Sequence, residues 1–567
     1  MTYKGLYRIW GPPGTGKTTR LAKSLRKIDA EMYDRQGCFK ALVCSLTRTA
    51  AAEVAGRDTT LPREAIGTLH AHAYRSLGSP EIAETNAESW NEQHGDEFAV
   101  GGSTVDKDDP YARNKADTSI YEAYQLARAK GIDVNLAGDI GVRRFAKLWE
   151  CWKQETGYID FTDMISMALE TVDTAPGDPS VILADEAQDH SAIEMQLLRK
   201  WGTRADALII VGDPWQALYT WRGASPRMFT DKTIDAQDDI LAQSYRVPRV
   251  VHAAAMKWIE QLSDFSPIEY APRDADGDVS DVAATWRRPD AIINDISDVV
   301  ESGRSVMLAA SCGYMLRPIV AVLRRMGIPF SNPWQTKRGD WNPLQSGRGV
   351  SMSDRVVAFL SPLTNRAADS NADFNFGANV KSDTELHWTL AELSQFVGAI
   401  RSTGCIRRGF KTKIEGFKNL ENSSDVRVTM ANIAEWFEPD ASAFFADMVC
   451  GRASIGDALC WLESRLSPQR VGPGQFPLSV CRNRNIHALR DKPKCYVGTI
   501  HSFKGAEADV VYLFPDLSPQ GWRDWIGGDE TRDGIIRMFY VGLTRAKCEV
   551  RLCRQSSSMS VSLEGII

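Results

Sequence analysis

Two periodicities alternate along this chain. Apolar runs with no polar face, "VILA" at 181–184 and "ALIIV" at 207–211, read as short strands buried on both sides. "YRIW" ahead of residue 11 reads as a further short strand that gives way to a helical pattern. Downstream, "SVMLAAS" at 305–311 precedes the amphipathic stretch "RPIVAVLRRMGIPF", and "CYVGTIHSFKGAEADVVYLF" at 495–514 again reads as strands and helices. Strands alternating with helices predict an α/β fold built on parallel sheets. The two sets of segments predict two sheets with a cleft between them.

Composition narrows the class only slightly. A chain of 567 residues has room for roughly four units of ~150 residues. With 43% hydrophobic and 25% charged residues it reads as an ordinary soluble protein. "MTYKGLYRIW" lacks a basic stretch leading into an apolar one, and no run reaches the ~18 apolar residues of a membrane span, so a cytoplasmic location without membrane contact is expected. The eleven cysteines are scattered without a CxxC pair, which points to reduced thiols rather than disulfides or a metal cluster. No internal repeat or long low-complexity linker is visible.

A net charge of -6 means that any contact with nucleic acid must be local. In "RSTGCIRRGFKTKIEGFK", residues 401–418, Arg401, Arg407, Arg408, Lys411, Lys413 and Lys418 face only Glu415. A solvated surface and a duplex-DNA contact both fit that stretch.

Sharper chemistry lies in "YRIWGPPGTGKTTRL", where GxxxxGK[ST] spans residues 11–18 between a strand and a helical pattern. Backbone N–H groups of such a loop close around phosphates, Lys17 reaches the β and γ phosphates, and Thr18 holds Mg²⁺. "DEAQD" follows the strand at 181–184, placing two carboxylates at the strand's C-terminal end, which faces the ligand crevice of a parallel sheet. Asp185 is suited to the metal and Glu186 to the attacking water, with a helix cap and an acidic first turn as the alternative. "GDPWQALYTWRGA", residues 212–224, then sets Gln216, Tyr219, Trp221 and Arg222 in one strip beyond a buried strand; Trp215 is expected in the core.

The ordered series "GPPGTGKTT", "VCSLTRTAAAEV", "GTLHAHAYR", "YIDFTDMI", "DEAQD", "VGDPWQALYTWRGA", "QSYRVP", "GTIHSFKGAEADVVYL" and "RMFYVGLTRAK" resembles the motif set of UvrD/Rep-like superfamily 1 DNA helicases. The resemblance spans residues 6 to about 550. It implies two RecA-like P-loop NTPase domains, each with a mostly helical insertion: 1–75 with 156–238, insertion 76–155, then 239–331 with 492–567, insertion 332–491. By the same resemblance, ATP is held by Gly11, Pro12, Gly14, Thr15, Gly16, Lys17, Thr18, Thr19, Arg20 and Gly505. Gln216 senses the γ-phosphate, Tyr245 stacks on adenine, Arg246 and Arg545 act as arginine fingers from the second sheet, and Glu507 binds the ribose. Trp221 stacks on a base of single-stranded DNA beside Arg222. Thr47, Thr68, His70, Thr499 and His501 line the strand path, with capping or core roles as the alternative for each.

Departures from the family pattern are also legible. No glutamine precedes Gly11, Leu46 stands where the family carries an aromatic, and the arginine expected after the GKT element is shifted to Arg20. No long C-terminal extension or appended nuclease is expected after "VGLTRAK". The resemblance implies an ATP- and Mg²⁺-dependent monomeric translocase on single-stranded DNA and on junctions of single- and double-stranded DNA, moving 3′ to 5′. Two alternatives stand: a motor that unwinds only with a nuclease, repair or defence partner, and a nucleotide-switched DNA-binding module.

Overall fold

The computed structural model describes residues 5–31, 41–45, 61–101, 118–136, 139–345, 349–368 and 384–566. Six strands, β1 (Gly5–Trp10), β2 (Ala41–Ser45), β3 (Ile66–Thr68), β4 (Val181–Ala184), β5 (Ala207–Gly212) and β6 (Gln237–Ile240), form a parallel sheet in the order β3-β2-β4-β5-β1-β6. Successive side chains leave a strand on opposite faces. Thus Val181 and Leu183 join Ile9, Val43, Ile209 and Val211 on one face, while Ile182 and Ala184 join Leu42, Leu208 and Ile210 on the other. Both faces are apolar at β4 and β5 because both are covered, which is why those two strands read as unbroken hydrophobic runs.

Strands β7 (Gln243–Pro248) and β8 (Ala271–Arg273) make a separate two-stranded ribbon. A second six-stranded sheet, of β9 (Asp278–Val282), β10 (Val306–Ala310), β11 (Phe330–Ser331), β14 (Cys495–Thr499), β15 (Ala508–Leu513) and β16 (Ala546–Cys553), has the order β11-β14-β10-β15-β16-β9. The remaining pair, β12 (Glu385–Thr389) and β13 (Arg427–Thr429), is antiparallel. The architecture is therefore α/β with two RecA-like sheets, as expected. One expectation is corrected: Arg246 lies on the β7–β8 ribbon and not on the second sheet, because β7 pairs with β8 alone.

The chain divides into two compact units, one of Met1–Val282, Ala309–Tyr314 and Thr499–Ile567, the other of Ala283–Leu308 and Met315–Gly498. Within the first, residues 83–152 carry a small helical core of their own, with Trp90, Phe98, Tyr124, Phe145, Trp149 and Trp152 in mutual contact. Its base is ionic. Asp160, fully buried, accepts from Lys153 (2.8 Å), Arg128 (3.0 Å) and Trp149 Nε1 (3.1 Å), and caps the helix Phe161–Thr171. Glu150, Asp160 and Asp163 lie close enough to share a cation, and Lys153 and Arg128 already supply the charge.

The second unit holds a repeat the sequence does not announce. β12 runs into the helix Leu390–Val397 and β13 into Met430–Trp436, and Thr389 and Thr429 each close a capping box with the residue three further on. Phe359, Trp388, Phe396, Phe445 and Trp461 form the aromatic core beneath these helices. Arg401, Arg407, Arg408, Lys413 and Lys418 are exposed, while Lys411 donates to the Ile400 carbonyl.

Candidate active site

Parallel pairing brings three strand ends to one edge. Trp10 stands opposite Gly212 and Ala184 opposite Ile210, so the segments opening at Gly11, Asp185 and Asp213 leave the sheet together. The chain turns from Gly11 into the helix Lys17–Glu31 (α1) through two left-handed glycines, Gly14 at φ 76° and Gly16 at φ 83°. A Cβ on Gly14 would lie 2.5 Å from Arg246 Cβ and 2.7 Å from Ser244 Oγ. The loop is also held from within: Thr15 Oγ1 donates to the Pro12 carbonyl (2.8 Å) and Lys17 Nζ to the Gly11 carbonyl (2.6 Å). Thr18 is half-buried and Thr19 exposed on the first turn of α1, and Arg20 pairs with Asp239 at 2.8 Å.

Burial, then the neighbouring Glu186, raise the Asp185 pKa above the usual carboxylate range. For Glu186 burial acts the same way but Lys504 and Lys17 outweigh it and lower its pKa. Glu186 sits in the left-handed region at φ 53°, a conformation costing a non-glycine residue on the order of 1 kcal/mol or more. Strain of that kind gathers at functional turns. Gln188 Nε2 donates to Glu186 (2.6 Å), and its Oε1 accepts from the Asp213 amide (2.9 Å), linking the ends of β4 and β5.

Gln216 is buried between two polar partners. Its Nε2 donates to Asp213 (2.6 Å) and its Oε1 accepts from Arg545 Nη2 (2.8 Å). Arg545 is only 1% exposed and also donates to the Val541 carbonyl (2.9 Å). Burial, then Arg246, lower its pKa to about 9, so it stays cationic at neutral pH. Arg246 pairs with Glu507 at 2.8 Å, Gly505 is left-handed at φ 81°, and the Tyr245 ring is 73% exposed while its backbone amide bonds the Gly14 carbonyl (2.8 Å).

Beyond Gln216 the strip turns outward. Trp215 is buried and stacks on Phe265 at 5.6 Å between centroids, as expected of a core residue. Trp221 is 61% exposed, with the Arg222 guanidinium 5.9 Å from its ring centre. The Tyr219 and His501 rings lie 6.4 Å apart. Thr68 and Thr499 accept backbone amides at helix starts, from Ala71 (3.2 Å) and Ser502 (3.3 Å), so capping accounts for both hydroxyls. His70 faces Glu194 at 3.3 Å; burial lowers its pKa and Glu194 works against that. Thr47 lies outside the described residues.

Parts of the chain are similar to known proteins. Residues 2–237 match the family described as UvrD/REP helicase N-terminal domain. The match covers the N-terminal part of the chain, under half of its length. The ATP-dependent DNA helicase UvrD2 of Mycobacterium tuberculosis is 26% identical over 281 residues, covering 42% of this chain and 39% of its own length. An ATP-dependent helicase/nuclease subunit of Geobacillus thermodenitrificans is 33% identical over 110 residues, 16% of this chain and 9% of its own length. The chain thus matches well under half the length of these curated relatives. No helix among the described residues is long and apolar enough to cross a membrane.

Several residues of the UvrD/Rep-like site escape a motif reading. Ser244 Oγ (2.9 Å) and Tyr270 Oη (3.0 Å) both donate to the Pro13 carbonyl, fastening the loop 11–16 to the ribbon that carries Arg246. Lys504 reaches Asp189, Glu186 (3.4 Å) and the Gln216 carbonyl (3.3 Å). The lysine of "HSFKG" was the available signal, but nothing in that stretch names its partners.

Proposed function

We propose that this protein is an ATP-dependent motor on single-stranded DNA that moves 3′ to 5′ and separates duplexes. The observation carrying the proposal is the Arg545–Gln216 hydrogen bond of 2.8 Å, five residues ahead of exposed Trp221. One short segment then has a phosphate-sensing amide at one end and a base platform at the other.

In this reading the loop 11–16, Lys17, Thr19 and Arg20 hold the triphosphate, Tyr245 stacks on the adenine, and Glu507 leaves Arg246 for the ribose. The glycines at 11 and 14, where a side chain would collide, suit a backbone that must approach phosphates closely. Thr18 and the buried Asp185 carboxyl are the hard oxygen donors that suit Mg²⁺. When bound, the ion draws charge from the phosphates and leaves the γ-phosphorus open to water. Glu186 orients that water and takes its proton, while Arg246 and Arg545 neutralise the charge that develops. Gln216 reports phosphate loss to Trp221 and Arg222, with His70, His501, Thr68 and Thr499 along the strand path. Residues 1–75 with 156–238 and 239–331 with 492–567 act as alternating grips, and 76–155 and 332–491 as their insertions.

ATP turnover with and without single-stranded DNA tests this reading. The parent should be stimulated, and Trp221→Ala should weaken DNA affinity by the ~1 to 3 kcal/mol of a base–aromatic stack while ATP affinity holds. Turnover indifferent to the strand would end the motor reading. A second reading, a motor that unwinds only beside a partner protein, is favoured by the name of the Geobacillus relative, a helicase/nuclease subunit. Unwinding of a forked duplex by the isolated chain would exclude it.

A further inference from the structure

Lys504 occupies a position that none of the roles above requires. Its side chain is one-tenth exposed and lies against the Asp189 carboxylate, itself fully buried. Glu186 Oε2 is 3.4 Å from the same ammonium, and the Gln216 carbonyl is 3.3 Å away. On its other side the Nζ sits 5.6 Å from the centre of the Tyr219 ring, which in turn faces His501 and the Arg222 guanidinium (5.9 Å). Contacts therefore run without a break from Glu186 through Lys504 and Tyr219 to the strip bearing Trp221.

Two donors converge on one oxygen. Glu186 Oε2 accepts from Gln188 Nε2 at 2.6 Å and faces Lys504 as well. A carboxylate so engaged is fixed in direction by the amide and the cation together. Water activation needs that carboxylate turned loose.

We infer that Lys504 is a positioning residue that restrains Glu186 in the strand-free protein and releases it when a nucleic-acid strand loads the Tyr219–Trp221 strip. The release half rests on the motor reading; the restraint half stands on the Glu186–Lys504–Asp189 geometry alone. Asp189 sets the balance by competing with Glu186 for the ammonium. Neutralising Asp189 shifts Lys504 wholly onto Glu186, and neutralising Lys504 frees it.

These two changes therefore move the strand-free ATP turnover in opposite directions, which general damage to the fold cannot imitate. In the full chain, Lys504→Met should raise that rate several-fold over the parent and reduce the ratio of stimulated to unstimulated turnover correspondingly. Asp189→Asn should lower the strand-free rate, and Lys504→Arg should restore the restrained rate and the stimulation. Binding of a fluorescent ATP analogue and thermal unfolding report the fold of each variant. A Lys504→Met rate at or below the parent's, both at background included, overturns the inference, as does an Asp189→Asn rate above the parent's. A parent whose turnover ignores single-stranded DNA defeats the motor reading instead, and the order of the strand-free rates still decides the restraint.

Discussion

Arg545 donates from Nη2 to Oε1 of Gln216 across 2.8 Å, and Gln216 in turn donates a hydrogen bond from Nε2 to Asp213. The guanidinium comes from the turn between the helix Asp529–Leu543 and β16, the amide from the turn after β5. A charged group with 1% exposure needs partners, and Gln216 supplies one from the segment after β5 while the Val541 and Ala506 carbonyls supply others.

Arg545→Lys keeps the charge but lacks the planar fork that reaches Gln216 and the Val541 carbonyl together. If Arg545 acts as a finger, turnover at saturating ATP should fall by ~10³ or more. Single-turnover hydrolysis, set beside the affinity for a non-hydrolysable analogue, checks this. A loss under tenfold would assign Arg545 to packing.

Glu186→Gln preserves the volume and the left-handed turn but cannot accept a proton from water. Turnover should drop to background while ATP analogue and strand affinities stay within a few-fold of the parent. Equilibrium binding by fluorescence anisotropy separates that outcome from a collapsed site. Substantial residual turnover would shift the role of base to another group.

The parts of this site that the sequence discloses share a property. The phosphate loop, the carboxylates after β4 and the strip after β5 are each contiguous, and each does a backbone task that narrows the residue type. Glycine at φ 76° and an exposed tryptophan after a buried strand are visible in one dimension. What stays hidden depends on segments meeting. Lys504 and Asp189 are 315 positions apart, and Arg246 belongs to a ribbon because β7 pairs with β8. The capping by Thr68 and Thr499 is a local signal, yet it emerges only once the helix starts are fixed. The paired strand-and-capped-helix units at 385–397 and 427–436 share a pattern of polarity, with little beyond the capping threonine and the alanine two further on identical.

Gly14→Ala tests the loop itself. Its φ of 76° is unfavourable for alanine, and the new methyl would meet Arg246 Cβ at 2.5 Å. The strain, of order 1–3 kcal/mol, falls where the loop must close on phosphate, so ATP affinity should drop at least tenfold. Titration with a fluorescent analogue measures it, and an unchanged affinity would show that the ribbon can give way.

The ionic base beneath the helical core at 83–152 makes a prediction about stability and its pH dependence. Burial penalises the Asp160 charge, but Lys153 and Arg128 outweigh it and hold the carboxyl below its ordinary range. A carboxyl depressed in the folded state binds fewer protons than in the unfolded chain, so stability rises with pH in that window. The contribution is complete above the unfolded value of about 4 and disappears as pH falls through the lower folded value. Asp160→Asn removes the one fully buried carboxylate of the cluster, leaving Lys153 and Arg128 to Asp163 and Glu150, and should cost up to about 3 to 5 kcal/mol at neutral pH. It should also flatten the dependence of stability on pH below about 4, since the unfolded-state titration at that value no longer differs between states at this position. Chemical denaturation of both proteins at a series of pH values gives both quantities. A variant that loses stability yet keeps the parent's acid slope would place the acid sensitivity in another carboxylate.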